Sequence, residues 1–390
     1  MSLSILGTLG GVGDRVSKSG TPRKGRRTPL WALLCAIIGG VLVVTSGGLL
    51  VGGRVLIARY AGAVETGDLG IGGSAAKAKV SDIKGPLNIL LVGIDPRDTK
   101  TAPLSDSIIV VHVPKSMDQA YVFSVPRDLL VDIPAFEKTG FKGGTAKINA
   151  AMSYGSSVGN GNHDVKQGFG LLARTVGQLT GIDSFDAGAI INFGGFKQIV
   201  DAMGGVTMTI DQNVKSEHLQ PDGSPRPRYA RCADNQCAHP YYGPQATYKK
   251  GTAHLQGWQA LDYVRQRYGL PKSDYDRQRH QQQFIKAMAQ QALSKDVVTN
   301  PVKLDKVLKA AGKSLIFDGN GHNVVDWGLA LHNIRADNMT LIKLPGRSLI
   351  TDGKYKGEQL DASAQEFFAS LNDGTVADFV LQHPDYINRG

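Results

Sequence analysis

Cysteine is scarce in this chain, with three residues in 390. That excludes a fold stapled by several disulfides, and a four-cysteine zinc site with it. Two chemical motifs are missing as well. There is no Gly-x-x-x-x-Gly-Lys loop to cradle a nucleotide's phosphates and no His-Glu-x-x-His helix to hold a catalytic zinc. None of the nine histidines stands in a metal-ligand or triad pattern, and no internal repeat is present. Charge is missing from one long stretch: Thr28 to Gly53, between Arg27 and Arg54, has no acid or base. At 1.5 Å rise per residue that stretch can cross a hydrocarbon layer of about 30 Å.

The apolar run is too long for a signal-peptide core and lacks a clean small-residue cleavage site after it. It reads as an uncleaved signal anchor over 28–53, with Trp31 as an interfacial aromatic; cleavage near Gly47 or Gly53 is the alternative. Arg15, Lys18, Arg23, Lys24, Arg26 and Arg27 precede it against one acid, Asp14, so residues 1–27 carry +5 of the chain's +10. By the positive-inside rule this Gly/Ser-rich, disordered tail is cytoplasmic. The chain is then expected to be single-pass in the cell membrane, with its large domain extracytoplasmic, on the cell-wall side. That domain is only mildly basic, which argues against nucleic acid as a partner. On the oxidising side, Cys232 and Cys237 read as a disulfide closing a local loop. A zinc site with His218 and His239 is the alternative, but the spacing matches no known pattern.

Glycine is abundant, at 48 residues, and marks turns and close backbone approaches. Residues 54–86 read as a stalk. Buried-strand runs follow at Asn88–Gly93, Ser107–Val113 and Ala120–Val125. Then come a helix over 166–179, a strand at 187–191, a helix at 194–203 and a strand at 206–210, with Gly204-Gly205 at the turn. Residues 215–250, polar and rich in Pro and Tyr, read as an inserted loop carrying the cysteine pair. Helices are predicted at 257–263, 274–293, 301–314, 324–334 and 363–371, and a late strand at 339–344. This alternation predicts an α/β fold: a three-layer α/β/α sandwich around a central mixed β-sheet, one domain over 87–385.

The residues that suggest chemistry sit after those strands. Asp95 follows the first strand and Asp106 opens the second; two carboxylates at neighbouring strand ends can share a hard cation, or can simply be turn chemistry. Arg127 and Asp128 follow the third strand. Lys147 precedes Ile148-Asn-Ala-Ala151, read as a helix opening whose N-terminus could hold an anion. Asp274, Arg277 and Gln281 share one helical face. Arg265 and Arg267, two apart, would point the same way from a short strand beyond a helix ending near Tyr263. A buried guanidinium is costly unless paired, and its planar fork suits phosphate. Arg127, Arg265, Arg267 and Arg277 therefore suggest an inward-facing phosphate site; the bland alternative is a basic, solvated helix that includes Arg279 and His280.

Taken in order, Asn88-Ile-Leu-Leu-Val-Gly-Ile-Asp95, Ser105-Asp-Ser107, Ser124-Val-Pro-Arg-Asp128, Lys147-Ile-Asn-Ala-Ala151, Asp201-Ala-Met-Gly-Gly-Val206, Arg265-Gln-Arg267 and Asp274-Tyr-Asp-Arg277 followed by Gln281 resemble the LytR-CpsA-Psr family of bacterial envelope proteins. The resemblance covers about residues 85–385. It implies a phosphotransferase that moves an anionic glycopolymer from a polyprenyl-pyrophosphate carrier onto peptidoglycan, with Mg2+ (or Mn2+) as cofactor and the carrier tail in an apolar tunnel under the sheet. By that resemblance Asp95 and Asp106 hold the metal. Arg127, Lys147, Arg265, Arg267, Arg277 and Gln281 bind the pyrophosphate, with Asp274 orienting the cluster; Arg97 is a further candidate contact, outside the motif match. Asp98 or Asp128 is the candidate base. Two places depart from the family's pattern: Leu104 stands where many members have arginine, and Gly177 where many have glutamate. The alternatives are a non-catalytic polyprenyl-phosphate-binding module and a membrane-bound transcriptional regulator.

Overall fold

The computed structural model describes residues 65–71, 83–95, 100–232, 237, 239–292, 301–312 and 315–388. These fall in one unit, 56–390. The basic tail, the charge-free stretch 28–53, Cys35, Arg97 and Asp98 lie outside the described residues. Among the described residues no helix is long and apolar enough to cross a membrane.

In chain order the strands are β1 (Glu65–Thr66), β2 (Leu87–Ile94), β3 (Ser105–Val113), β4 (Ala120–Ser124), β5 (Leu130–Ile133), β6 (Gly144–Lys147), β7 (Ala187–Asn192) and β8 (Val206–Ile210). They continue as β9 (Val214–Lys215), β10 (Thr247–Tyr248), β11 (Gly251–Leu255), β12 (Leu315–Asp318), β13 (Met339–Ile342), β14 (Gly346–Thr351) and β15 (Lys354–Leu360). The helices are α1 (Ala150–Ser156), α2 (Val165–Thr180), α3 (Phe193–Ala202), α4 (Gly257–Tyr263), α5 (Asp274–Ala292), α6 (Pro301–Gly312), α7 (Val324–Ala330), α8 (Ser363–Asn372) and α9 (Val376–Gln382). Seven strands form the central sheet, in the order β1-β12-β7-β2-β3-β4-β13. It is mixed as expected, since β2 runs parallel to β7 and antiparallel to β3, while β4 runs parallel to β13.

Alternation in the middle strands makes the layers. Leu90, Val92, Ile94, Ile108, Val110, Tyr121 and Phe123 face a core that includes Phe169 and Leu172 of α2 and Phe367 and Phe368 of α8. Leu87, Ile89, Ile109, Val113, Ala120 and Val122 face the opposite core, with Trp327 of α7 and Ile285 of α5. Successive residues point to opposite faces, so a strand apolar throughout must be covered on both sides. Each fully buried Phe or Leu contributes roughly 1.5–3 kcal/mol of burial. Helix α2 starts where Asp164 accepts from the backbone amides of Lys166 and Gln167, and stops at left-handed Gly181. A β-carbon at Gly177 would meet the Ile182 carbonyl at 2.6 Å, so a glutamate there would clash with this chain's own backbone.

Two readings need correction and one holds. Residues 65–71, expected in the stalk, are packed: β1 pairs with β12, and Leu69 and Ile71 are buried. The inserted loop 215–250 is as expected: the β9–β10 pair pins its base, and the Cys232–Cys237 disulfide closes a local turn within it. A late hairpin, β14–β15, stands where no element was predicted. Its alternation is broken by a register shift at Leu349/Ile350, and its turn residues leave only a weak strand pattern.

Candidate active site

The site forms where β2, β3 and β4 end. Ile94 pairs with Ser105 and Gly93 with Ser107, so Asp106 is the extra residue of a bulge. A bulge re-aims its side chain. Asp106 meets Arg127, which lies just beyond β4, in a short ion pair. Asp95, just beyond β2, pairs with Arg265 at 3.1 Å. Arg127 Nε also lies 3.9 Å from Asp128 Oδ2, and Lys147 Nζ lies 3.2 Å from the other Asp128 oxygen. Asp106 and Asp128 are thus linked through Arg127.

Helix α5 supplies the back wall. Arg277 is nearly buried and pairs with Asp274 at 2.7 Å. Desolvation, and then the like charges of Arg127 and Arg267, hold its guanidinium below the usual range, with Asp274 opposing. Arg127 goes the other way: burial alone would lower it, but Asp106, Asp128 and Asp274 raise it. Gln281 is committed to the scaffold. It accepts from Ser107 Oγ at 2.9 Å and donates to the Val264 carbonyl at 3.3 Å, bracing strand against turn.

The predicted short strand for Arg265 and Arg267 is not there. Helix α4 does end at Tyr263, and both arginines follow on an irregular turn. Gln266 between them is buried and accepts from the Glu217 amide at 2.8 Å, while donating to Asp262. Asp262 also receives Ser216 and Tyr248. Tethering of the middle residue leaves its neighbours on the open side, so the inserted loop fixes the turn. Arg265 is more exposed than a buried-charge argument requires, and its guanidinium lies 4.2 Å from the Phe193 ring centroid. Lys147 does not open a helix either; it closes β6, and α1 begins at Ala150. The bland reading of α5 also fails, since Arg277, Gln278, His280, Gln282 and Gln283 are all buried. The zinc alternative is removed by the disulfide, which uses both cysteines.

Reasoning from motifs missed the hairpin residues. Glu358 of β15 is buried and accepts from Ser348 Oγ (3.0 Å), Tyr355 Oη (2.9 Å) and Tyr275 Oη (3.3 Å). Its amide donates to the Asp128 carbonyl at 2.8 Å. The Tyr355 ring lies under Lys147, 4.9 Å from Nζ to centroid. No local pattern flags these residues, which join the site from the last quarter of the chain. One pattern does occur without the chemistry: Gly155-Ser156-Ser157-Val158-Gly159 spells Gly-x-Ser-x-Gly, but Ser157 caps the end of α1 instead of a strand-to-helix elbow.

Among the described residues no group of three or more His, Cys, Asp or Glu is arranged to hold a metal ion by itself. Asp95 and Asp106 flank one bulged strand pair and offer only oxygen donors, as a hard divalent cation prefers. Two carboxylates fit a cation that completes its shell with phosphate oxygens and water.

The chain and its fold have counterparts. The chain matches the LytR_cpsA_psr family over residues 65–373. It belongs to that family. The Corynebacterium glutamicum cell wall biosynthesis protein LcpA is 28% identical over 363 residues, covering 84% of this chain and 62% of LcpA. The chain therefore spans about three-fifths of that relative's length. The Oceanobacillus iheyensis polyisoprenyl-teichoic acid–peptidoglycan teichoic acid transferase TagU is 28% identical over 303 residues, 76% of this chain and 78% of TagU. Among solved structures, B. subtilis TagV superposes with a TM-score of 0.52 at 24% identity, covering 75% of this chain and 98% of that one, which shows the shared fold.

Proposed function

We propose that this LytR_cpsA_psr protein is a membrane-tethered phosphotransferase that moves an anionic wall glycopolymer from a polyprenyl-pyrophosphate carrier onto peptidoglycan. The observation that carries the reading is the convergence of Arg127, Lys147 and Arg265 on the carboxylates at the ends of β2, β3 and β4, with Arg277, paired to Asp274 on α5, adding its charge beside Arg127. The names of LcpA and TagU add the envelope context.

In the proposed reaction a wall-sugar hydroxyl oxygen bonds to the phosphorus that carries the glycopolymer. The bond to the bridging oxygen breaks, and the carrier leaves as polyprenyl phosphate. Arg127, Arg265, Arg267 and Arg277 are placed to stabilise charge that spreads over the phosphate oxygens, in a site prearranged by its own ion pairs. Asp128, beside Arg127 and Lys147, is the candidate to take the hydroxyl's proton. Asp95 and Asp106 would hold Mg2+, which when bound would neutralise phosphate charge and help the leaving group.

The test incubates the full chain in vesicles with a polyprenyl-pyrophosphate-linked glycan, peptidoglycan and Mg2+. The expected result is release of polyprenyl phosphate and glycan bound to the wall, with both lost in Arg127→Ala and Arg265→Ala. An intact pyrophosphate, or undiminished activity in those variants, overturns the reading.

A further inference from the structure

The β14–β15 hairpin gives the site a second wall that the phosphate chemistry does not use. Gly357 packs backbone against backbone on the Asp128 segment; a β-carbon there would come within 2.6 Å of the Asp128 carbonyl. The Glu358 amide holds the same carbonyl at 2.8 Å. Three residues earlier, Tyr355 is tied by its hydroxyl to buried Glu358 at 2.9 Å. Its ring is further fixed by the Lys147 ammonium at 4.9 Å. Yet Tyr355 is 47% exposed, with Ile350 and Leu130 also open to solvent on the same hairpin and the strand beside it. A large ring tethered at its polar end and left open has lost its rotamer freedom before any ligand arrives, so stacking on it costs little further ordering.

We propose that Tyr355 floors a subsite for a sugar ring, the one whose hydroxyl attacks, on the Asp128 side of the phosphate clamp. The subsite rests on the phosphotransferase reading. The apolar C–H face of a pyranose matches an open tyrosine ring. Lys147, over one face of that ring and paired with Asp128 at 3.2 Å, leaves the other face for the sugar, and the pair presents a donor and an acceptor to its hydroxyls. The donor glycan is also made of sugars. What assigns this subsite to the acceptor is its position at Asp128 and Lys147, away from the Asp95–Arg265 end of the clamp.

The test titrates the full chain in detergent with two probes, a soluble disaccharide-peptide fragment of peptidoglycan and inorganic pyrophosphate. Wild type is expected to bind both. In Tyr355→Ala, fragment affinity falls about fivefold to tenfold, and acceptor KM rises by the same factor. Pyrophosphate affinity and donor KM move less than about twofold. Tyr355→Phe keeps the ring, so it shows an intermediate loss and serves as the control should the alanine variant lose its fold. The proposal is overturned if wild type fails to bind the fragment, if Tyr355→Ala binds it as tightly as wild type, or if the loss falls on donor KM alone. Failure of the phosphotransferase reading shows separately, as absent pyrophosphate binding and cleavage.

Discussion

Arg277 and Arg279 leave helix α5 on different sides, and the two sides are built differently. Arg279 is held by two carboxylates, Asp211 at 2.5 Å and Asp276 at 2.6 Å. Burial alone would lower its guanidinium, but those two acids raise it. Asp211 is held well below the ordinary carboxylate range: burial opposes this, but His280 and Arg279 outweigh it. Arg277 has one carboxylate, Asp274, and faces Arg127 and Arg267. The first side is closed and satisfied. The second carries surplus positive charge, which is what an incoming phosphate would neutralise. Arginine count says little about function here; the balance of acids around each arginine says more.

Breaking the closed side should cost stability. Arg279→Ala leaves Asp211 and Asp276 without their shared partner, and a loss of about 3–5 kcal/mol is expected in urea unfolding. Turnover per folded molecule should stay close to wild type. A large loss of turnover at unchanged stability would erase the contrast between the two sides.

Breaking the open side should cost chemistry instead. Arg277→Ala is expected to lower transfer about 10²–10³-fold, the usual loss for one preorganised charge donor. Its melting temperature should fall less than that of Arg279→Ala, since loss of the Asp274 pair is offset by relief of like-charge repulsion with Arg127 and Arg267. A clear drop in melting temperature with transfer retained would show that Arg277 is structural.

His112 sharpens the comparison as a buried base with no acid beside it. Its ring bonds Asn88 at 2.8 Å, and burial pushes it down from 6.5 to about 4. Between those values the unfolded chain takes a proton that the native state refuses, so stability falls as pH drops through this window. The expected fall is about 2–3 kcal/mol. In His112→Gln the slope between pH 6.5 and 4 should flatten in denaturant titrations; a slope unchanged by the substitution would clear His112 of the effect.

The smallest effect belongs to the solvent. Arg347 and Asp361 pair at 3.1 Å on the hairpin, both well exposed. Arg347→Ala should change stability by less than about 0.5 kcal/mol, and less still at high salt. A larger change would mean that the hairpin's seat on Asp128 depends on this rim pair.

Much of the architecture was legible. Strands β2, β3 and β4 are continuous apolar runs, and a run apolar on both faces can only be an interior strand. Helix α2 carries its own stop signal in Gly181. Arg277 and Gln281 were placed on one face by the 3.6-residue period. The hairpin was not legible, because its short strands are mostly exposed and its register shifts. The turn of Arg265 and Arg267 was misread as a strand because what directs it is Gln266, held by residues 216–217 and 262, and no local rule reaches that far.

The sequence by itself determined the order of elements, the mixed layered sheet and the set of arginines and acids near the strand ends, because periodicity and turn chemistry are local properties of a chain. Only the tertiary structure decided which charges neutralise one another. Asp106 meets Arg127, Arg279 closes on Asp211, and Glu358 arrives from the far end of the chain to stand beside Asp128. Those pairings depend on distance and desolvation in the folded state, and residues 21, 68 and 230 positions apart in sequence have neither until the chain is packed.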